Sequence, residues 1–348
     1  MSTAVDLDIE AAHCLLCERL LSYLSDLQPA LRADIFEALA VEGKLFHRPA
    51  SRLDGRWALL PLYLARALRE EADPAWSVAA GLAMECLICA TDLLDDVMDE
   101  DVTPLIERLG VARALNVALA LLSLPQRILL ALAEQYTYAS LSACLLDAVQ
   151  RALLLAVGGQ QQDLLAEQRP ACELSREDCI EIASAKAGSL LSLACRLGAL
   201  CAGVEETLVE RCAEMGRLLG IAAQLDNDAH DLSRLLRPTD PCSQKSDLRR
   251  GKKTLPVVLA ARSLRETRLL AAREIEKAFQ GLHSLTGEER EVYVSALRQG
   301  ILATWGISLL YRERARDYLI EMMGGGSAWE NVLQVLGFGG SPAEINDC

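Results

Sequence analysis

The sequence predicts an all-α protein, and three observations lead to that fold class. Proline is scarce, with 11 residues in 348, and aromatic residues make up 4%, whereas leucine and alanine recur throughout, which favours helices over a β-sandwich or barrel. Hydrophobic residues are 51% of the chain, enough to bury a sizeable core. Apolar residues also recur at helical spacing in nearly every window. We therefore expect about ten helices in one helical-bundle domain over residues 1–348.

Short breaks, in which glycine, proline and polar residues cluster, separate the predicted helices. They lie at Gly43–Arg56, Ala72–Pro74, Gly158–Gly159, Arg169–Pro170, Arg237–Gly251 and Gly324–Gly326. Residues 1–42 then form N-terminal helices. The Gly/Ser-rich tail, residues 338–348, is expected to be disordered.

The charge balance excludes some classes of partner. Lysine and arginine number 35 against 49 aspartates and glutamates, a formal net charge of −14, which opposes binding to nucleic acid and stable insertion into anionic membranes. The start, Met1–Cys14, has no basic region followed by an apolar stretch, and the most apolar long window, Val111–Ala133, is interrupted by polar residues. We therefore expect a cytoplasmic protein without a transmembrane segment.

An acidic run, Thr91–Asp101, follows the apolar segment Met84–Ala90. On a helix, four of its carboxylates would share one stripe: Asp92, Asp95, Asp96 and Asp99. Clustered carboxylates repel one another, and burial of unpaired charge is costly, so a cation should lie there. Oxygen ligands without nearby histidine or cysteine suit Mg²⁺. The alternative is a solvated acidic helix end.

A second acidic segment, Gln224–Asp231, follows the apolar residues Gly216–Ala223. Asn227 and Asp231 would share a helix face, with Asp228 beside them. Acidic faces on two helices can oppose each other across a bundle and hold several Mg²⁺ ions around a diphosphate.

Basic residues would then meet the phosphate oxygens. Lys186 lies in an otherwise apolar helix, where it could simply extend its ammonium to the surface. The longest irregular stretch ends in a basic cluster: Lys245, Arg249, Arg250, Lys252 and Lys253. Together with the two acidic faces, these charges favour phosphate binding, because the two sets are complementary.

Five motifs, in order, resemble the trans-isoprenyl diphosphate synthase superfamily, which has the class I isoprenoid synthase fold. Asp95–Asp99 matches the first DDxxD motif, and Gly159–Leu164 matches the GQxxDL motif. Lys186–Leu190 matches KTxxL, with Ala187 in place of Thr, and Lys245–Pro256 resembles the loop that ends in GKxTLP. Ala223–Asp231 resembles FQxxDDxxD, with Ala223 in place of Phe and Asn227 in place of the first Asp. The resemblance implies a single all-α isoprenoid synthase domain.

The sequence departs from the chain-elongating members where they hold isopentenyl diphosphate. Gly43-Lys44 and Arg48-Pro49 remain of the G-K-x-x-R-P segment, with one extra residue between them. Ile88 replaces a histidine or glutamine, and Val102–Gly110 lacks the arginine pair. These features are more similar to the ComQ branch, prenyltransferases that modify a tryptophan of a pheromone peptide, although the second acidic motif here is fuller.

The resemblance implies a role for each candidate site residue. Three Mg²⁺ ions per site would be held by Asp95, Asp99, Asp163, Asn227 and Asp231. The catalytic residues would be Asp95, Asp96, Asp99, Lys186 and Gln224. The substrate diphosphate would meet Lys44, Arg48, Lys186, Lys245 and Lys253. The prenyl tail would run past Met84, Leu87, Ala90 and Thr91.

The implied activity is Mg²⁺-dependent ionisation of an allylic prenyl diphosphate and transfer of the prenyl group, with release of diphosphate. The acceptor would be isopentenyl diphosphate or a non-diphosphate acceptor such as an indole. One alternative is a terpene cyclase, although Tyr136 and Tyr138 are the only aromatic residues from Met84 to Asp231. Another is a non-catalytic subunit or regulator of a prenyl synthase. The family's usual form implies a homodimer.

Overall fold

The computed structural model describes residues 9–47, 57–135, 139–236, 248, 251–322 and 328–337. Every regular element in these ranges is helical, which confirms the all-α fold class. The α-helices are α1 Ile9–Leu24, α2 Pro29–Leu39, α3 Leu59–Leu68, α4 Pro74–Met98, α5 Pro104–Leu109, α6 Val111–Gln135, α7 Ala139–Glu167, α8 Arg176–Ala183, α9 Ser189–Ala202, α10 Glu206–Leu235, α11 Leu255–Arg268, α12 Ala272–Gln280, α13 Gly287–Met322 and α14 Ala328–Val335. A π-helical segment, Ser184–Gly188, joins α8 to α9.

Two of the predicted breaks are confirmed and one is wrong. Helix α4 begins at Pro74, and α7 ends at Glu167, just before Arg169–Pro170. Gly158–Gly159, however, lies inside α7. A Cβ added at Gly159 would come within 2.7 Å of the Cβ of Ala185, so the glycine serves a close packing contact and does not end the helix.

The chain divides into two compact units. Unit 1 comprises Met1–Arg151, Leu193–Ala213 and Met322–Cys348, and unit 2 comprises Ala152–Ser192 and Glu214–Glu321. In unit 1, α4 packs against α6, α3 and α1. In unit 2, α11 packs against α8 and α12 around an apolar core. One domain over residues 1–348 stays a prediction.

Four helices are long and apolar enough to cross a membrane by length and composition alone. They are Pro74–Met98, Val111–Ala133, Ser140–Glu167 and Arg176–Ala202. The first is 83% buried inside the protein over its most apolar window, as a core helix of an all-α protein would be. The predicted absence of a transmembrane segment and the cytoplasmic location stay predictions.

Several expectations fall outside the described residues. They concern Arg48, Tyr136, Tyr138, Lys245, Arg249 and Arg250, the break at Gly324–Gly326, and the tail at residues 338–348. Within the described part, α1 and α2 agree with the N-terminal helices expected over residues 1–42.

Candidate active site

Helix α4 carries the first acidic segment, Asp92–Asp101, at its carboxyl end. The helix begins at Pro74, and the side chain of Asp73 caps it by accepting the N–H of Ala75 at 2.9 Å. Residues 84–90 are buried in unit 1. Burial of this apolar stretch fixes the helix, and the carboxylates come directly after it.

The carboxylates of this segment are arranged around the end of α4. Asp92 is exposed, Asp95 and Asp96 are half-buried, and Asp99 is buried. The N–H of Asp99 donates to the carbonyl of Asp95, and the N–H of Asp101 donates to that of Asp96, both at 2.8 Å. The last turn of α4 has no basic residue. The carboxylates thus lie at the negative end of the helix dipole, where a cation would be stabilising.

Lys44 lies against this segment in unit 1. Its ammonium donates to Asp92 Oδ2, and its side chain is 13% exposed. Ile88, which the sequence resemblance aligns with a histidine or glutamine, is buried and apolar. Sequence reasoning placed Asp92 in the acidic stripe but missed its pairing with Lys44.

The four residues predicted to line the prenyl-tail pocket lie on α4. Met84, Leu87 and Ala90 are fully buried in unit 1, and Thr91 is half-buried. The hydroxyl of Thr91 lies 3.1 Å from the carbonyl oxygens of both Leu87 and Ile88, to which it donates. The pocket assignment stays a prediction.

In unit 2, Lys186 and Asp163 form an ion pair. Lys186 Nζ lies 2.8 Å from Asp163 Oδ2, and the side chains are 15% and 17% exposed. Lys186 belongs to the π-helical segment, which packs on Gly159 of α7. Because π turns are wider than α turns and occur often at functional sites, this segment is a reasonable place for a functional lysine.

Gln160 lies one turn before Asp163 on α7. It is buried, and neither its amide oxygen nor its amide nitrogen has a hydrogen-bond partner among the described residues. A buried amide without hydrogen bonds destabilises the folded state unless a ligand or a water molecule pairs with it. The sequence signal for Gln160 was its place in the GQxxDL motif.

Helix α10 presents the second acidic segment, Asp226–Asp231, near its carboxyl end. Asn227 and Asp231 lie one turn apart and are both exposed. Asp228 accepts a hydrogen bond of 2.9 Å from the amide nitrogen of Gln224. Asp226 instead accepts from Arg312 of α13, with Nε at 3.1 Å. Sequence reasoning missed the pairing of Asp226 with Arg312, which ties α10 to α13.

Three carboxylates of unit 2 act on the buried thiol of Cys179. Burial and then the negative charges of Asp228, Asp178 and Asp163 raise the pKa of Cys179. The thiol donates to the carbonyl oxygen of Lys253 at 3.6 Å. Asp163 of α7 and Asp228 of α10 thus both act electrostatically on the same buried thiol.

Lys253 is committed to a buried ion pair. Its Nζ donates to Glu276 Oε2 at 2.6 Å, and its side chain is 4% exposed. Glu276 also accepts the N–H of Ala171 at 2.7 Å. No sequence signal pointed to Glu276 as a partner. The neighbouring Lys252 is also buried.

The residues of both acidic segments fit a hard divalent cation by their chemistry. They offer carboxylate and amide oxygens, and those of α4 crowd a helix end that lacks a basic residue. In the described part of the chain, no three His, Cys, Asp or Glu groups lie close enough together to hold a metal ion. Mutual repulsion of carboxylates favours such spreading. The predicted ligand set therefore stays a prediction.

Known proteins resemble this chain in sequence. Residues 52–285 match the family model described as polyprenyl synthetase. A (2E,6E)-farnesyl diphosphate synthase from Mycobacterium bovis is 30% identical over 216 residues, which are 60% of this chain and 58% of that protein. Tryptophan prenyltransferase ComQ from Bacillus spizizenii is 29% identical over 55% of this chain and 60% of its own length.

A solved structure shares the fold. The polyprenyl synthase from Caulobacter crescentus CB15, complexed with calcium and isoprenyl diphosphate, superposes with a TM-score of 0.71 at 23% identity. The superposition covers 95% of this chain and 94% of that one. By sequence, the matches with the two relatives span less than two-thirds of either relative's length.

Proposed function

We propose that this chain, which belongs to the polyprenyl synthetase family, ionises an allylic prenyl diphosphate and transfers the prenyl group to an acceptor, with release of diphosphate. The relatives named as a farnesyl diphosphate synthase and as a tryptophan prenyltransferase support this reaction class. They also show that acceptors differ within the group of similar proteins.

The observation that carries the proposal is the acidic end of α4. Asp95, Asp96 and Asp99 lie at the negative end of a helix dipole, and the last turn itself contains no lysine or arginine. Bound cations would stabilise such an arrangement. Because the substrates of this family carry an anionic diphosphate, such cations would bind the diphosphate of the substrate.

Mg²⁺, when bound, supplies Lewis-acid stabilisation of the charge that develops on the leaving diphosphate. We propose that Asp95, Asp99, Asp163, Asn227 and Asp231 hold three ions per site, with Asn227 as a neutral oxygen ligand. The structure from Caulobacter crescentus, which has the same fold, contains calcium and isoprenyl diphosphate, in line with a divalent cation beside a prenyl diphosphate.

The chain's own residues then bind the anion and protect the cation. The C1–O bond of the allylic diphosphate breaks, and its electron pair leaves with the diphosphate. Lys186 would neutralise that oxygen once released from Asp163, and the amide nitrogen of Gln160, one turn before Asp163, could donate a hydrogen bond to the diphosphate. The apolar side chains of Met84, Leu87 and Ala90 surround the tail and exclude water from the allylic cation.

Transfer is complete when the acceptor gives an electron pair to C1 and loses a proton to the released diphosphate. Asp96 lies beside the predicted ligands on α4, and Gln224 orients Asp228 on α10. We propose that these two residues complete the site as orienting groups. Lys253 and Lys44 would need to leave Glu276 and Asp92 to reach a phosphate.

The experiment is an incubation of the purified chain with Mg²⁺ and geranyl, farnesyl or geranylgeranyl diphosphate, with and without isopentenyl diphosphate. Diphosphate release is measured, and organic extracts are analysed for prenyl products. Release that requires Mg²⁺ supports the proposal. Cyclic hydrocarbons as the main product would instead identify a cyclase, and no release with any substrate would favour a non-catalytic subunit.

We further propose a homodimer, on one feature of α6. Leu115, Leu119 and Leu130 of this helix are 38%, 62% and 51% exposed, and exposed apolar faces of this kind mark interaction surfaces. Light scattering on the native chain should give twice the mass of one chain. Leu119→Glu should shift the mass towards the monomer.

A further inference from the structure

The loop that carries Lys44 is held rigidly in unit 1. The N–H of Leu45 donates to Glu85 Oε1 at 2.5 Å, and the carbonyl of Leu45 lies 2.7 Å from His13 Nε2. The ring of Phe46 stacks on Phe36 with centroids 4.9 Å apart. The backbone on the carboxyl side of Lys44 is therefore anchored to α4 and α1, which fixes the point from which the lysine side chain extends.

The ammonium of Lys44 is already satisfied by a carboxylate of the chain. It donates to Asp92 Oδ2, and the lysine is 13% exposed while Asp92 is 59% exposed. Burial lowers the pKa of Lys44, but the charges of Asp92 and Glu85, with the hydrogen bond to Asp92, outweigh that effect and leave the pKa raised. The pair is therefore ionic.

Asp92 is also the first carboxylate of the acidic run on α4. It precedes Asp95 by one helical turn and is more exposed than the lysine with which it pairs. A diphosphate that binds Lys44 must therefore compete with this carboxylate and lie beside it. Displacement and repulsion both weaken the binding of an anion at this loop.

We propose that Asp92 is a specificity-determining residue, which closes the Lys44 loop to a diphosphate so that the acceptor is a phosphate-free nucleophile. The acceptor statement rests on the proposed function, whereas the closure of the loop does not. Buried Ile88 on the same helix supports it, because an isoleucine side chain offers no hydrogen bond to a phosphate.

Calorimetric titration of the full chain with isopentenyl diphosphate tests the closure without requiring turnover. Asp92→Asn should bind this ligand at least about tenfold more tightly than the native chain, since it frees one charge-assisted contact. The double variant Asp92→Asn, Lys44→Met should lose that gain. Asp26→Asn is the matched control, because Asp26 is an exposed partner of Arg127 in the same unit, and it should leave the affinity unchanged.

Asp92→Leu provides a second variant, and circular dichroism checks that both fold. The proposal is overturned if the native chain binds isopentenyl diphosphate at low micromolar concentration, or if both folded variants bind it no better than the native chain. Release of diphosphate from farnesyl diphosphate is followed in parallel. Its absence would reject the proposed function, while the titration would still decide the role of Asp92.

Discussion

Two lysines, one in each unit, are alike in burial and differ in the carboxylate that holds them. Lys44 of unit 1 pairs with Asp92, and Lys186 of unit 2 pairs with Asp163. The lysine side chains are 13% and 15% exposed. Asp92 is 59% exposed, but Asp163 is 17% exposed. The first partner faces solvent, and the second is enclosed with its lysine.

We expect the identity of the partner carboxylate to determine whether each lysine can leave its ion pair and bind a phosphate. Asp163 belongs to the proposed ligand set, so a bound divalent cation would compete for it and would leave Lys186 to the diphosphate. Asp92 lies outside that set, so Lys44 keeps its partner. The same kind of ion pair can thus hold a phosphate-binding lysine ready for use or withdraw it.

The largest expected effect comes from removal of the proposed metal ligands. Asp95→Ala and Asp231→Ala should each lower turnover by at least about a hundredfold, because charge stabilisation of the leaving group is lost. The helical circular dichroism signal should be retained, since removing a clustered charge relieves repulsion. Chelation of Mg²⁺ in the native chain should abolish diphosphate release, and full activity in either variant would reject the ligand assignment.

The contrast between the two pairs is tested next by Asp163→Asn. If Asp163 only restrained Lys186, this change would improve substrate binding and spare turnover. We expect turnover to fall by about a hundredfold, because the carboxylate ligand is lost. Asp147→Asn on the same helix is the control, since Asp147 is exposed and paired with Arg151. A rise in turnover would mean that Asp163, like Asp92, only withholds its lysine from a phosphate.

A smaller effect is expected from the scaffold of unit 2. A Cβ at Gly220 would lie 2.5 Å from the carbonyl oxygen of Ala187, so Gly220→Ala should cost about 1–3 kcal/mol of unfolding free energy. Gly158→Ala meets nothing within 4 Å and lies inside α7, so it should stabilise by about 0.5–1 kcal/mol. Urea denaturation compares them, and equal midpoints would contradict close packing at Gly220.

The smallest effect on rate is expected in the tail pocket. Thr91→Phe should shorten the accepted prenyl chain, because a large side chain removes volume that a packed helix cannot easily recover. Ala90→Phe should do the same but destabilise the fold more, since Ala90 is fully buried. Competition between geranyl and geranylgeranyl diphosphate measures the preference. The same preference in both variants and the native chain would place the tail elsewhere.

Periodicity and composition were enough to predict the helical fold, and motif spacing assigned site roles to Asp95, Lys186 and Asp163, which stay predictions. Those signals are local along the chain, since an apolar stripe or a motif lies within a few turns. The break expected at Gly158–Gly159 was wrong for a non-local reason. Whether a glycine ends a helix or admits a neighbour depends on the segment that packs on it, here Ala185.

The pairings of the site could not be predicted, for the same reason. Asp92 and Lys44 are 48 residues apart, and Asp226 and Arg312 are 86 apart. Composition shows that such charges exist but not which ones meet. Glu276 is the clearest case, because it lies in no motif and still holds Lys253.

The π-helical segment makes the chain sensitive to length at one place. A π turn holds one residue more than an α turn, so the segment can absorb the loss of a single residue from Ser184–Gly188 by returning to ordinary winding. Helix α9 would keep its register and Leu191 its buried place, but the wide turn that carries Lys186 would be lost. A one-residue deletion should therefore leave the core intact and remove the ion pair with Asp163, and the five-residue length of the segment is as much a part of the lysine site as the lysine itself.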